Sequence, residues 1–278
     1  NTLLQRAHLA LHQAKDDSTH ATFYDAGREA SSVERLVLVN ELRFALGNGE
    51  IVAHFQPKAD MRTGRTTDPK RGNASYSTWN YEEALKQNHP KTIAGDVTID
   101  MMFERITYLL DRCLPVAKEY KVKLGNHIAD PPTPVGYRGI TRWNSPEVFA
   151  GIKRFAQLYD SPWHGFNFCI GSIAEGLKDP KAEILPIIKW VGDRKQIFNI
   201  HLRNIKGGWN NFQEVYPDNG DMNFLQCVRA LRDVGFDGMV MPDHVPHHEA
   251  SGSTNEAFSF SYGYIKGLIQ AAAEEAGT

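Results

Sequence analysis

The 278-residue sequence lacks any apolar run approaching the roughly 18 residues of a membrane span. It also shows no secretory signal peptide, so no membrane partner is expected. Charge of one sign is scarce. The formal net charge is −2, which excludes the broad positive field of a general nucleic-acid or membrane-surface binder. Three cysteines, Cys113, Cys169 and Cys227, are too few and too scattered for a disulfide framework, and the expected compartment is the reducing cytoplasm. Low-complexity segments and internal sequence repeats are missing as well. The first residue is Asn1 rather than Met, which fits a fragment or a processed product. Hydrophobic residues at 41% and charged residues at 23% are enough for a packed core and argue against disorder.

Four short apolar segments each end on a side chain that binds metals. They are Val122-Lys-Leu-Gly-Asn-His127, Gly165-Phe-Asn-Phe-Cys169, Gln196-Ile-Phe-Asn-Ile-His201 and Gly238-Met-Val-Met-Pro-Asp243. The intervals between the end residues are 42, 32 and 42, the length of a strand–helix–strand unit and not of a zinc finger or ribbon. In an α/β barrel the C-terminal ends of neighbouring strands meet on one rim. Two imidazoles, a thiolate and a carboxylate gathered there make a divalent metal site. Taken singly, each of the four would pass as a structural residue. Cys113 and Cys227 fall at apolar positions within helical stretches and read as core.

The chain divides into two unlike parts. Residues 1–15 and 30–47 carry helical apolar spacing, and Glu50-Ile-Val-Ala-His-Phe55 alternates like a strand. The polar run from Asp60 to Ser77 reads as a loop, and residues 69–95 as a linker. From residue 96 onward strands and helices alternate. A helix is expected from Asp96 to about Tyr120, with Ile99, Met102, Phe103, Ile106, Leu109 and Leu110 on its buried side. Further helices open at Ser145-Pro-Glu, Asp179-Pro-Lys and Asp221-Met-Asn, each with capping chemistry. Such alternation implies a parallel sheet with right-handed crossovers. A full barrel needs about 31 residues per unit, and residues 1–121 contain one convincing strand. The expected fold is therefore α/β: a TIM-barrel-like, incomplete (β/α) barrel comprising the C-terminal half at 96–278, preceded by a helical N-terminal segment.

Residues of about 72–268 resemble the mannonate dehydratase family, which has the xylose-isomerase-like barrel. The resemblance rests on Gly125-Asn-His-Ile-Ala-Asp-Pro-Pro-Thr-Pro-Val-Gly-Tyr-Arg-Gly139, Gly165-Phe-Asn-Phe-Cys-Ile-Gly-Ser172 and Ile200-His-Leu-Arg-Asn-Ile205. Gly220-Asp-Met-Asn223 and Gly238-Met-Val-Met-Pro-Asp-His-Val-Pro246 complete it. It implies metal ligands at His127, Cys169, His201 and Asp243, a divalent cofactor such as Mn²⁺ or Fe²⁺, and conversion of D-mannonate to 2-dehydro-3-deoxy-D-gluconate and water. Where family members carry a His-Pro-x-Asp-Pro segment, often with a second His, this chain has His127-Ile-Ala-Asp-Pro131. That departure touches substrate contacts near Ala129 more than the metal. Residues 1–68 instead resemble a junction between a GGDEF-type cyclase domain and an EAL-type phosphodiesterase domain, through Leu9-Ala-Leu-His-Gln-Ala-Lys-Asp16 and His54-Phe-Gln-Pro-Lys-Ala-Asp-Met-Arg-Thr-Gly64. Neither catalytic signature of those domains is present.

Dehydration of a sugar acid needs a base for the C2 proton and an acid for the departing C3 hydroxyl. Asp243, His244 and Arg203 are the candidate catalytic residues; Arg138, Asn204 and Tyr262 are candidate substrate contacts. Asp130 and Asp221 lie near the ligands in sequence, Asp221 reading more as a helix cap. Arg203, two residues past His201, would point the same way in a continuous strand and clamp a carboxylate. His244, His247 and His248 read as a solvated loop rather than a second metal site. The expected partner is a small sugar acid, with no nucleic acid and no membrane, and a homo-oligomer stays open. Other readings are a sugar isomerase or epimerase on the same barrel, or an inactive fragment whose sheet edges are unpaired. An incomplete sheet also predicts weak or absent turnover by this chain alone.

Overall fold

Each of the four segments that end on a donor side chain contains a strand, and the four strands lie side by side. The computed structural model describes residues 63–248 and 252–277. The helices expected at 1–15 and 30–47, the strand expected at 50–56 and most of the junction-like segment 1–68 fall outside the described residues. The elements in chain order are β1 (Gly64–Asp68), β2 (Ala74–Asn80), α1 (Tyr81–Lys86), α2 (Ile99–Glu119), β3 (Leu124–His127), α3 (Val148–Ala156), β4 (His164–Cys169) and α4 (Ile170–Ala174). After these come α5 (Pro180–Gly192), β5 (Ile197–His201), β6 (Asn204–Gly208), β7 (Asn211–Val215), α6 (Phe224–Asp233), β8 (Met239–Met241) and α7 (Ser253–Glu275).

Strands β3, β4, β5 and β8 form one sheet in that order, and every pairing is parallel. The register places His127 beside Asn167, Asn167 beside Asn199, and Cys169 beside His201. Side chains two apart share a face of a strand. One face therefore collects His127, Asn167, Cys169, Asn199 and His201, while Phe166, Phe168 and Ile200 point the other way. Those three are fully buried in a core with Ile152 and Phe155 of α3 and Ile184, Ile187 and Ile188 of α5. Gly165 lets β4 and β5 approach, since a Cβ there would lie 2.4 Å from the Gln196 carbonyl oxygen. Helix α5 packs on α6, and α6 on α7. Among the described residues the parallel sheet stays open rather than closing, as an incomplete TIM-barrel-like fold requires.

Helix starts follow the sequence in part. Asp179 caps α5 by accepting from the Ala182 N–H, with Pro180 at the first turn. Thr98 caps α2 through the Met101 N–H. The buried stripe of α2 runs through Phe103, Leu110, Leu114 and Ala117; Leu109, expected inside, is exposed. Two other starts differ from expectation. Helix α3 begins at Val148 with no side-chain cap, so Ser145 does not open it. Helix α6 is capped by Asn223 instead of Asp221, whose carboxylate accepts from the Gly207 N–H.

The larger correction concerns residues 63–95. The run expected as a loop and linker holds β1, β2 and α1. With β6 and β7, β1 and β2 make a second, antiparallel sheet in the order β1-β2-β7-β6. Strand β2 is buried from both sides. Tyr76 packs with Val215, Tyr216, Val245 and Ala257, while Trp79, of opposite parity, joins the main core. Two-sided burial removes the polar–apolar alternation by which a strand is recognised. Trimming Trp79→Phe should therefore lower unfolding free energy by about 1–2 kcal/mol, within the usual span for a core change. Urea titration checks this, and an unchanged midpoint would return residues 69–95 to linker status.

Candidate metal centre

His127 closes β3, Cys169 closes β4, His201 closes β5, and Asp243 lies two residues beyond β8. Parallel pairing brings these ends to one edge of the sheet. One donor atom from each of the four lies within 4.8 Å of every other. His127 Nε2 is 3.3 Å from His201 Nδ1, and His201 Nδ1 is 3.3 Å from Asp243 Oδ1. Cys169 Sγ lies 3.9 Å from Asp243 Oδ2. Asp243 has a left-handed backbone, φ 69°, which Asp adopts more readily than most residues.

The surroundings orient these groups. His127 Nδ1 donates to the Ile128 carbonyl at 2.5 Å, which leaves its Nε2 lone pair for the centre. Asn167 Nδ2 lies 3.2 Å from His201 Nε2, and Asn167 Oδ1 accepts from Asn199 at 2.8 Å. With both amides turned over, the Asn167 oxygen accepts from Nε2–H, the Asn199 oxygen accepts from Asn167, and the His201 Nδ1 lone pair is free for an ion. Cys169 Sγ accepts from the Ser172 backbone N–H at 3.3 Å and the Ser172 hydroxyl at 3.1 Å.

Electrostatics favour the charged forms. Burial alone would push the Cys169 thiol up, but the Arg203 charge and hydrogen bonds from His127 and His201 bring it down to about 6. Burial works against a charged His201, yet Asp243 and Cys169 raise it to about 9. Burial likewise works against ionised Asp243, and His201, His244 and Arg203 outweigh it. A thiolate, a carboxylate and two imidazoles directed at one point fit a divalent cation of borderline softness, with His201 releasing its extra proton as the ion binds.

Arg203 stands differently from expectation. Strand β5 ends at His201 and the chain enters the other sheet at Asn204, so Arg203 is in neither strand. Its guanidinium is buried among carboxylates: Nη1 lies 2.7 Å from Glu175 and 3.1 Å from Glu214, and Nη2 lies 2.8 Å from Asp130. Nη2 also donates to the Ser172 hydroxyl at 3.1 Å, and Nε lies 3.5 Å from Asp243. Burial pushes the Glu175 carboxyl well up despite the facing guanidinium. Asp130, Glu175 and Glu214 also cluster closely enough to suggest a cation, and the Arg203 guanidinium supplies it. These contacts leave Arg203 no free pair of donors with which to clamp a substrate carboxylate.

His244 adjoins the centre, with Nδ1 3.1 Å from Glu214 and Nε2 3.4 Å from Asp243. The other histidines of its cluster have separate partners, His247 with Thr254 and His248 with Glu256. Arg138 donates to the Pro90 carbonyl. Asn204 is saturated by backbone groups, its amide donating to the Pro217 and Met222 carbonyls and its oxygen accepting from Ile205 and Met222. Tyr262 is half exposed on α7 and stacks on Phe258. Among the described residues, no hydrogen bond or ion pair joins these three to the four-donor cluster. The sequence reading missed Asn167, Ser172, Glu175 and Glu214. For Asn167 a signal existed: it stands two residues before Cys169 in a strand.

The chain matches known proteins along most of its length. The family model described as D-mannonate dehydratase (UxuA) matches residues 11–276. Mannonate dehydratase of Enterococcus faecalis is 33% identical over 170 residues, covering 60% of this chain and 45% of that protein. Mannonate dehydratase of Streptococcus agalactiae is 28% identical over 194 residues, covering 66% and 52%. The crystal structure of mannonate dehydratase from Streptococcus suis serotype 2 superposes with a TM-score of 0.64 at 25% identity, over 78% of this chain and 64% of that one. The chain thus spans about half the length of the curated relatives it matches. The family match begins at residue 11, inside the segment compared above with a GGDEF/EAL junction, and the comparisons lend that junction no support. With the family model spanning nearly the whole chain and a solved mannonate dehydratase superposing over 78% of it, this chain belongs to the D-mannonate dehydratase family.

Proposed function

We propose that His127, Cys169, His201 and Asp243 hold one divalent cation, Mn²⁺ or Fe²⁺, and that the site dehydrates D-mannonate to 2-dehydro-3-deoxy-D-gluconate. One observation carries the reading: four donor side chains of suitable type, from four parallel strands of a family member, converge within 4.8 Å. When bound, the ion supplies Lewis-acid stabilisation of the negative charge that builds as the C2 proton leaves. His244 is the residue we assign to proton transfer. Its ring borders Asp243 and is partly open to solvent, so it is accessible to a substrate seated at the rim. Arg203 acts by holding Asp130, Glu175 and Glu214 beside the donors, without touching substrate. Arg138, Asn204 and Tyr262 do not enter the proposal. Three free cysteines suit a cytoplasmic setting.

Incubating the metal-loaded chain with D-mannonate and identifying the product tests the reaction. A 2-keto-3-deoxy acid, formed slowly because the sheet is open and only with the ion, is expected. A ketose product would assign the site to sugar isomerisation, and no product from the loaded protein would contradict the proposal. Asn167 offers a second test. Asn167→Leu should weaken metal affinity by roughly 10–100-fold, the usual cost of losing a group that orients a ligand. Chelator competition measures it, and an unchanged affinity would remove Asn167 from the site.

A further inference from the structure

Glu214 belongs to the hairpin of β6 and β7, part of the antiparallel sheet and not of the parallel sheet that carries the donors. Its carboxylate is nonetheless shared between two groups at the centre. Oε1 lies 3.1 Å from Arg203 Nη1, and Oε2 lies 3.1 Å from His244 Nδ1. Arg203 is in turn fixed by Glu175 at 2.7 Å and Asp130 at 2.8 Å. A continuous line of contacts therefore runs from the buried Glu175 through Arg203 and Glu214 to the half-exposed His244. Only the far end of that line is open to solvent.

We infer that Glu214 is a positioning residue for His244, which holds the imidazole by its Nδ1–H and presents Nε2 to the substrate. The inference rests on the dehydration reading above and deepens it. A hydrogen bond to one imidazole nitrogen fixes the tautomer and so leaves the other nitrogen ready to take a proton. Free imidazole side chains have no partner to enforce that choice. Here Glu214 is held as an acceptor: burial opposes its charge, but Arg203 and His244 outweigh burial and keep its carboxyl below the usual range. The carboxylate is restrained from turning away, because its other oxygen pairs with a buried guanidinium that two further carboxylates also hold. Nε2 faces the Asp243 side of the ring at 3.4 Å, the side on which the four donors lie. The arrangement is that of a carboxylate orienting a proton-transferring histidine, with the carboxylate contributed by an inserted hairpin.

Two readouts test this. The first is the His244 tautomer in the ¹⁵N-histidine-labelled, zinc-loaded protein in alkaline buffer, its signal identified by loss in His244→Asn. The wild type should show a protonated Nδ1, and Glu214→Ala should move the ring toward the Nε2–H form. The second is steady-state turnover of D-mannonate. Glu214→Ala should lower kcat by roughly 10–100-fold, as for other orienting groups, with KM and bound metal unchanged, and Glu214→Gln, which keeps an acceptor oxygen, should recover most of both readouts. An Nε2–H tautomer in the wild type, a tautomer unmoved by Glu214→Ala, or full kcat in that variant would overturn the inference. If the wild type does not turn over mannonate, the dehydration reading fails while the tautomer still decides the role of Glu214. If Glu214→Ala does not fold, the wild-type tautomer and Glu214→Gln decide it.

Discussion

Replacing His201 with alanine should abolish metal retention. His201 closes β5 between Cys169 and Asp243, and its Nδ1 lies 3.3 Å from both His127 Nε2 and Asp243 Oδ1. It is the donor most surrounded by the other three. Without it the site keeps three donors and opens a gap that a methyl group does not fill. A cation site holds its ion through its set of ligands, and loss of one falls directly on binding free energy. Metal per chain after gel filtration, measured by elemental analysis, should fall from about one to near zero, on the one-ion stoichiometry of such sites. His127→Ala should behave the same way. His247→Ala, whose ring pairs with Thr254, should retain the ion. Stoichiometric metal in either His127→Ala or His201→Ala would contradict the ligand assignment.

Arg203→Met should destabilise the fold by about 3–5 kcal/mol, the usual consequence of removing one partner from a buried ionic group. The Arg203 side chain is 1% exposed and faces Glu175, which is 0% exposed, together with Asp130 and Glu214. Three carboxylates then share a small volume without their cation. The network could relax by taking up protons, a response already begun at Glu175, where burial raises the carboxyl. Denaturant unfolding of the metal-free protein gives the number without interference from ligand linkage. Arg203→Lys should recover little, because one ammonium cannot match a planar fork bound to three carboxylates. A stability change below about 1 kcal/mol, the scale of an exposed ion pair, would show that the network is solvated and not buried.

How much of this was legible in the sequence depends on how each residue is built into the chain. The four donors stood out because each closes or follows an apolar strand, and β4 and β5 turn a polar face to the site and an apolar face to the core. Asn167 followed the same period of two and was overlooked only because an amide is not a metal donor. Arg203 stands outside the sheet although Leu202 continues the strand pattern past His201, because the chain leaves one sheet there and enters a second at Asn204. The hairpin of β6 and β7 escaped notice, and Glu214 with it, although Gly207-Gly-Trp-Asn210 is a turn signal between alternating runs. Strands β1 and β2 were hidden for opposite reasons. The first is polar and largely exposed, and the second is buried on both faces. The acidic cluster was illegible in principle, since Asp130, Glu175 and Glu214 come from three distant segments and meet only around Arg203.

X-ray absorption at the metal edge of the Mn²⁺- or Fe²⁺-loaded protein reads the ligand set of the centre itself. One sulfur scatterer, from Cys169, is expected at about the 2.3 Å typical of a metal–thiolate bond, together with nitrogen and oxygen near about 2.0–2.2 Å and an imidazole outer-shell signature. The sulfur contribution should vanish in Cys169→Ser. A first shell of oxygen and nitrogen alone in the wild type, unchanged by Cys169→Ser, would place the ion elsewhere and contradict a centre built from His127, Cys169, His201 and Asp243.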